Sequence, residues 1–345
     1  MMKKRHILHW AMGVVMTPLL GSCAADDVVG DAGREGCDII SGQPMTVTSA
    51  TRAADGGKSS TQFEQDEIVW LWANKTDDTE YINAWKLTAQ SGGSLIGSPQ
   101  YWPSDGSSLN VYALHGNFKN STITEGSPSW SSLSLTHTVE ANQSTDNNKR
   151  LSDLLYSQTS SVAPNTGSVQ LTFNHLLAKI TVKLDLTNSK GINEGELANA
   201  EVKLTNILTT GIFKSSDVNN IIPNGVSANT AGSIGEIKAG KITQPSDMNS
   251  TAYEVGSAIV PLQNFGGGKG SDSENNVITI TLAYPDSRSF SYTPDDVTLG
   301  KGNEYIYTLK IINGELSVSS ISVQGFAVET TQEKKWDIYV EPSGS

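Results

Sequence analysis

Thiols and imidazoles are scarce in this chain. Its 345 residues include 2 Cys and 5 His, too few for a disulfide framework, a structural zinc cluster or an iron–sulfur site. Basic residues are short too. The 24 Lys+Arg stand against 36 Asp+Glu, a formal net charge of −12 that repels a phosphate backbone and argues against nucleic acid as a partner. The apolar run from Trp10 to Leu20 is too short for a comfortable membrane span, and nowhere does a helical period persist for three turns. What the chain does have is 32 Gly, 12 Pro and much Ser, Thr and Asn, which populate turns, while its apolar residues are largely Val, Ile, Leu and Tyr, which favour strands.

The first residues form an address. Lys3, Lys4 and Arg5 precede the apolar run, and the segment closes with Leu20-Gly21-Ser22-Cys23, the tripartite layout of a secretory signal. Those last four residues resemble the lipobox of bacterial lipoproteins. The resemblance implies that Cys23 is acylated and becomes the first residue of the mature chain, anchored in the outer membrane. The alternative is an ordinary signal peptide with an incidental Cys. Removing residues 1–22 leaves 21 Lys+Arg against 36 Asp+Glu, a balance of −15, which suits a chain held by lipid rather than by basic patches. Asp26-Asp27 resembles an acidic export tag. Cys37, the other thiol, sits in a polar tether with no partner in the folded part of the chain.

Between the tether and the first domain lies Met45-Thr46-Val47-Thr48, which alternates like a strand and places Met45 and Val47 on one face. Thr51 to Gly57 follows, a small-residue run containing Arg52. An extended segment of that kind fits the cleft of a trypsin-like protease; it reads equally as a plain linker.

Beyond it, strand patterns recur with turn residues between them. Glu67 to Ala73 is apolar on both faces, so it predicts a strand covered on both sides. Tyr81 to Leu87, Leu109 to Leu114 and Leu133 to Val139 continue the series. Polar Ala141 to Arg150 then interrupts it, Leu151 to Tyr156 reads as a helix turn or a strand, and Ser160 to Ser168 is taken as a linker between domains. Strands are predicted again over Val169 to Phe173, Ala178 to Leu186, Ala200 to Ile207, Tyr253 to Leu262, Val277 to Tyr284, Ser289 to Tyr292, Tyr305 to Ile312 and Leu316 to Val323. Many short antiparallel strands with loop-rich spacers predict an all-β fold with a β-sandwich in each half.

Three local patterns carry a wider resemblance. Tyr101-Trp102-Pro103-Ser104-Asp105-Gly106 with Leu109 to Ala113, Phe173-Asn174-His175-Leu176-Leu177-Ala178-Lys179, and Gly302-Asn303-Glu304-Tyr305-Ile306-Tyr307-Thr308-Leu309 are similar, in order and spacing, to motifs of the fimbrillin-like family, the subunits of type V pili and related surface lipoproteins. The resemblance runs from residue 20 to about 325. It implies two consecutive sandwiches of transthyretin-like, Greek-key type: 1–22 signal peptide, 23–52 lipidated tether and propeptide, 53–166 N-terminal sandwich, 167–325 C-terminal sandwich, 326–345 tail. Many members end with a Trp soon after the last strand. Here Phe326 stands in that neighbourhood, and the tail beyond it contains Trp336, Ile338 and Val340 on one face of an alternating segment. That segment reads as a last edge strand or as a donor.

The family implies a function of assembly. A protease cuts after an Arg, here Arg52; the N-terminal strand with Met45 and Val47 leaves; the vacated sheet edge accepts a strand from a neighbouring subunit, with Trp336 to Val340 a candidate donor. Such head-to-tail contacts propagate as a filament. The partners are then other pilus subunits, the maturation protease, the outer membrane through Cys23, and surface glycans or proteins on a host or bacterium. The expected localisation is the cell surface, with no cofactor and no enzymatic activity. A different reading is a surface lipoprotein that binds glycans and never polymerises, using Trp70, Trp72, Trp85, Tyr101 and Trp102 as a stacking platform; core packing is the competing role for that set. His115, His137 and His175 lie on separate strand-like segments with no carboxylate or Cys at ligand spacing, so packing is expected of each. Gly266 to Gly270 lacks the Ser/Thr and following helix of a phosphate loop, and Ala231 to Gly235 lacks the setting of a nucleophile elbow. The acid pairs Asp77-Asp78 and Asp295-Asp296 and the segment Asp272 to Glu274 read as solvated turns without an EF-hand ligand run.

Overall fold

Alternating sequence becomes strand almost throughout. The computed structural model describes residues 43–51, 63–119, 121–187, 200–216, 234–239, 252–266, 276–282, 288–312, 315–325 and 336–337. In chain order the first half contributes β1 (Thr46–Thr51), β2 (Ile68–Lys75), β3 (Glu80–Ala89), β4 (Ser94–Ile96), β5 (Leu109–His115), a 3-10 turn (Trp130–Ser132), β6 (Ser134–Thr138), helix α1 (Asp146–Ser152), β7 (Leu155–Val162), β8 (Ser168–Thr172) and β9 (Asn174–His175).

Eight of these strands form one sheet in the order β8-β1-β4-β3-β2-β5-β7-β9. All neighbours run antiparallel except β1 and β8, which are parallel. Because β8 also touches β7, the sheet curls until its margins approach. Its inner face buries Met45, Val47, Leu71, Leu87, Leu109, Leu171 and Phe173 in one cluster. The outer face of β2 and β5 is covered as well: Trp72 and Leu114 belong to a second, larger core with Trp130, Leu135 and Phe213, and the Trp72 indole N–H donates to Pro128 O at 2.8 Å. The doubly apolar sequence of β2 is thereby accounted for.

The second half contributes β10 (Ala178–Asp185), β11 (Glu201–Leu208), β12 (Thr210–Lys214), β13 (Ile234–Lys238), β14 (Ala252–Val260), β15 (Asn264–Phe265), β16 (Val277–Leu282), β17 (Arg288–Tyr292), β18 (Val297–Thr298), β19 (Asn303–Ile312), β20 (Glu315–Gly325) and β21 (Trp336–Asp337). A five-stranded sheet, β14-β10-β19-β20-β21, and a four-stranded sheet, β13-β11-β16-β17, share one core that includes Ile180, Leu204, Ile280 and Tyr307. They make a sandwich. The ribbon of β6 and β12, with Leu135 opposite Phe213, carries that core across to the outer face of the first sheet. All described residues belong to a unit spanning 40–345.

Two features depart from the sequence pattern. The N-terminal sheet takes β8 and β9 from beyond residue 166, because Val169, Leu171 and Phe173 are inward-facing members of its inner cluster. The polar segment after Ala141 contains α1, which no apolar period announces. Thr145 caps it, its hydroxyl accepting from Asn148 N at 3.2 Å. Buried Gln143, just before it, exchanges two hydrogen bonds of 2.8 Å with the backbone of Ile259 in β14. Its amide thus continues the ladder along a strand margin that would otherwise be open.

One glycine fixes a turn by sterics alone. Gly266 has φ +143°, and a Cβ there would meet the Asp295 carbonyl at 2.6 Å, whereas a Cβ on Gly325 would meet nothing within 4 Å. Gly266→Ala is expected to lower the free energy of unfolding by roughly 2–4 kcal/mol, and Gly325→Ala to change it by less than about 1 kcal/mol; urea unfolding of both variants checks this.

Candidate functional site

The place where sequence and fold converge on a function is the seat of β1. Its residues alternate outward and inward, with Thr46 exposed and Met45, Val47 and Ser49 buried at 5%, 2% and 7% exposure. On one side Thr46 to Ser49 pair in parallel with Ser168 to Leu171 of β8, and on the other Val47 and Thr48 pair with Leu95 and Ser94 of β4. Main-chain bonds extend the contact at both ends: Met45 N donates to Gln100 O at 2.7 Å, Trp102 N to Gln43 O at 3.2 Å, and Ser49 N to Gly93 O at 2.9 Å. The Thr46 hydroxyl adds bonds to Gly167 O at 3.3 Å and to the Ser168 hydroxyl at 3.0 Å.

Burying Met45 and Val47 is worth about 1.5–3 kcal/mol each and each main-chain bond about 1 kcal/mol net. β1 is therefore held by at least several kcal/mol. Met45 and Val47 take the positions that their alternation predicts. Cys23 and Arg52 lie outside the described residues, as do Ile338 and Val340. Trp336 is described in its backbone, where it pairs with Val323 at the margin of β20, and Asp337 pairs with Ser322.

Comparison with known proteins decides the family. A family model described as fimbrillin-like matches residues 51–325. The chain belongs to the fimbrillin-like family. That family is a fimbrial one. No curated protein matches the chain in sequence. Among solved structures, a candidate cell adhesion protein of Bacteroides ovatus is similar at a TM-score of 0.59 and 14% identity, covering 84% of this chain and 100% of its own. Another, of Bacteroides uniformis, is similar at a TM-score of 0.54 and 16% identity, covering 83% and 98%. At those identities the likeness is one of fold.

The motifs that carry the fimbrillin-like resemblance occupy structural positions. Lys179 and Glu304, one from each of two motifs, are register partners on β10 and β19, with Lys179 Nζ 3.4 Å from a Glu304 carboxylate oxygen. The Thr181 hydroxyl donates to the same carboxylate at 2.6 Å and Gln324 Nε2 at 2.7 Å. A largely buried charge on β19 is thus surrounded by partners on the two strands that flank it, β10 and β20, which its burial requires. Of the five aromatic residues considered as a stacking platform, Trp72, Trp85 and Trp102 are buried and Trp70 is half-buried. Tyr101 alone among them is exposed, and its carbonyl accepts from the Tyr81 hydroxyl at 2.8 Å.

The three histidines, far apart in sequence, gather around residues 152–155. His115 pairs with Leu155, His137 Nε2 is 2.8 Å from Ser152 O, and His175 Nδ1 is 2.8 Å from an Asp153 carboxylate oxygen. Asp153 lies 22 residues before His175, which is why local spacing did not reveal the carboxylate. Among the described residues no group of three or more His, Cys, Asp or Glu is placed to hold a metal ion; each imidazole is committed to a strand or to its neighbour. His137 accepts from Asn117 N at Nδ1, 3.1 Å away, so Nε2 carries the proton donated to Ser152 O. A second proton would have to displace the Asn117 N–H.

Burial therefore pushes the His137 pKa down from 6.5 to about 4. The unfolded chain binds that proton first, so the stability due to neutral His137 is complete above pH 6.5 and is lost as pH falls toward 4. The expected loss is about 3 kcal/mol between those limits. Urea unfolding from pH 7 to 4 should show it, and His137→Asn should flatten that part of the slope.

Proposed function

We propose that this fimbrillin-like chain is a structural subunit of a cell-surface fimbrium that supports adhesion. It is held at the outer membrane as a lipoprotein through Cys23 until a trypsin-like protease cuts after Arg52, and it assembles by exchanging β1 for a strand of another subunit. The observation that carries the reading is the seat of β1: the strand is the link between β8 and β4 in the N-terminal sheet, and it lies at the extreme N-terminal side of the described chain. Its departure would bare main-chain groups on two strands above the cluster that holds Leu95, Leu171 and Phe173, an acceptor for a strand with alternating apolar side chains.

Further observations support this. The family match begins at Thr51, one residue before Arg52, and leaves Met45 to Ala50 outside it. Cutting there would remove both cysteines and leave residues 53–345 with 19 Lys+Arg and 31 Asp+Glu, a balance of −12. The product would need neither thiol nor lipid to act as a building block, and an uncut copy would act as an anchor. We place the junction between the two sandwiches after His175, where β9 ends the N-terminal sheet and β10 begins the C-terminal one. For the tail, the pairing of Trp336 and Asp337 with β20 supports an edge strand in the resting subunit; to donate, Trp336 to Val340 would have to leave that margin. The glycan-binding reading loses support with the burial of Trp72, Trp85 and Trp102, although Tyr81 and Tyr101 remain exposed for a surface contact.

Treating the purified lipoprotein precursor with a trypsin-like protease is expected to give oligomer ladders on a gel. Arg52→Ala should reduce them at least about ten-fold. An Arg52→Ala protein that forms ladders as wild type does would contradict the assignment.

A further inference from the structure

Three side chains of β1 point inward, and they are not alike. Met45 and Val47 are apolar and fill the inner cluster. Ser49, at the third inward position, is just as buried but places a hydroxyl opposite Leu171, which is fully buried. That hydroxyl donates to Gly93 O at 3.2 Å, yet the same carbonyl already accepts the Ser49 N–H at 2.9 Å, so the side chain satisfies no group that would otherwise be left unpaired.

Other features weaken the same end of the strand. The pairing with β8 loses its register between Ser49 and Thr51. The buried Thr48 hydroxyl has no hydrogen-bond partner, at a cost. On the other side, β4 is three residues long and, of β1, pairs only with Val47 and Thr48. Against this, the segment Trp336-Asp337-Ile338-Tyr339-Val340 is apolar at all three alternate positions.

We propose that Ser49 is the specificity-determining residue of this groove. It keeps the resident strand weaker than an incoming one, and the groove selects a strand, supplied by a second copy of this chain, that is apolar at all three inward positions. The proposal rests on the strand-exchange reading above. Its physical content is separate: Ala removes a buried polar group without orphaning Gly93 O, and Val also adds buried apolar area, so β1 is held longer. Because off-rates carry most of an affinity difference, the effect falls on release.

The test uses the full precursor in three forms, wild type, Ser49→Ala and Ser49→Val. After protease cleavage, release of the N-terminal peptide is followed by native mass spectrometry and ladder formation on gels, while amide hydrogen exchange at residues 45–49 is measured on the uncut chains. Both variants should release the peptide more slowly, about ten-fold for Val and about three-fold for Ala, with delayed ladders and slower β1 exchange before cutting. Ser49→Ala decides the matter if the larger Val does not fit, since it removes the hydroxyl and adds no bulk. Release and exchange at the wild-type rate in the Ala variant would overturn the proposal. If wild type keeps its peptide after cutting and forms no ladder while both variants still slow exchange, the weak point at Ser49 stands and the strand-exchange reading falls.

Discussion

The pairing of β1 with β8 on one side and β4 on the other joins two strands of the N-terminal sheet that do not pair with each other. β8 joins the ladder of paired strands only through β1, although it also touches β7, and β4 finds its second neighbour there. Phe173 and the rest of the inner cluster close over a strand that enters from the chain's N-terminal side. Much follows from that arrangement. The run of paired strands from β8 to β4 is continuous only while β1 is present, and in the sequence β1 is joined to the remainder through residues 52–62.

A covalent link makes a modest interaction sufficient. While β1 is tethered, its effective concentration at the groove is of the order of millimolar or higher, so a few kcal/mol keeps it seated. Cutting the tether would remove that advantage without altering any contact, leaving the strand to its own affinity. The C-terminal sandwich has no such dependence. Its central strands β10 and β19 are parallel neighbours fixed by the Lys179, Thr181, Glu304 and Gln324 network, and its core is continuous with the outer face of the first sheet. The proposed exchange would thus be confined to one half of the protein.

Much of this was legible in the sequence because period-2 alternation is a local signal. Met45 and Val47, the doubly covered β2, and the long strands β10, β14, β19 and β20 could be read from a few residues each. The short strands β4, β12 and β13 could not, since three to five residues give too few repeats for a period. Helix α1 was hidden because a cap at Thr145, the Gln143 amide on β14 and the seat of Lys149 against the Ser257 hydroxyl at 3.0 Å position it, none of which is an apolar pattern. Sheet membership was the least legible feature. Val169 and Leu171 are plainly strand residues, but only three-dimensional packing assigns them to the first sheet beside Val47, and only it brings Asp153 to His175.

Locking β1 in its seat shows whether the strand must leave for subunits to assemble. Thr48 and Gln170 are register partners on β1 and β8, close enough for a disulfide between neighbouring strands. In a chain lacking Cys23 and Cys37, Thr48→Cys with Gln170→Cys should, once oxidised and cut by the protease, remain monomeric and form ladders only after a reductant is added. Ladders from the oxidised, cut protein as extensive as those from the reduced one would show that β1 need not leave, and would contradict the account.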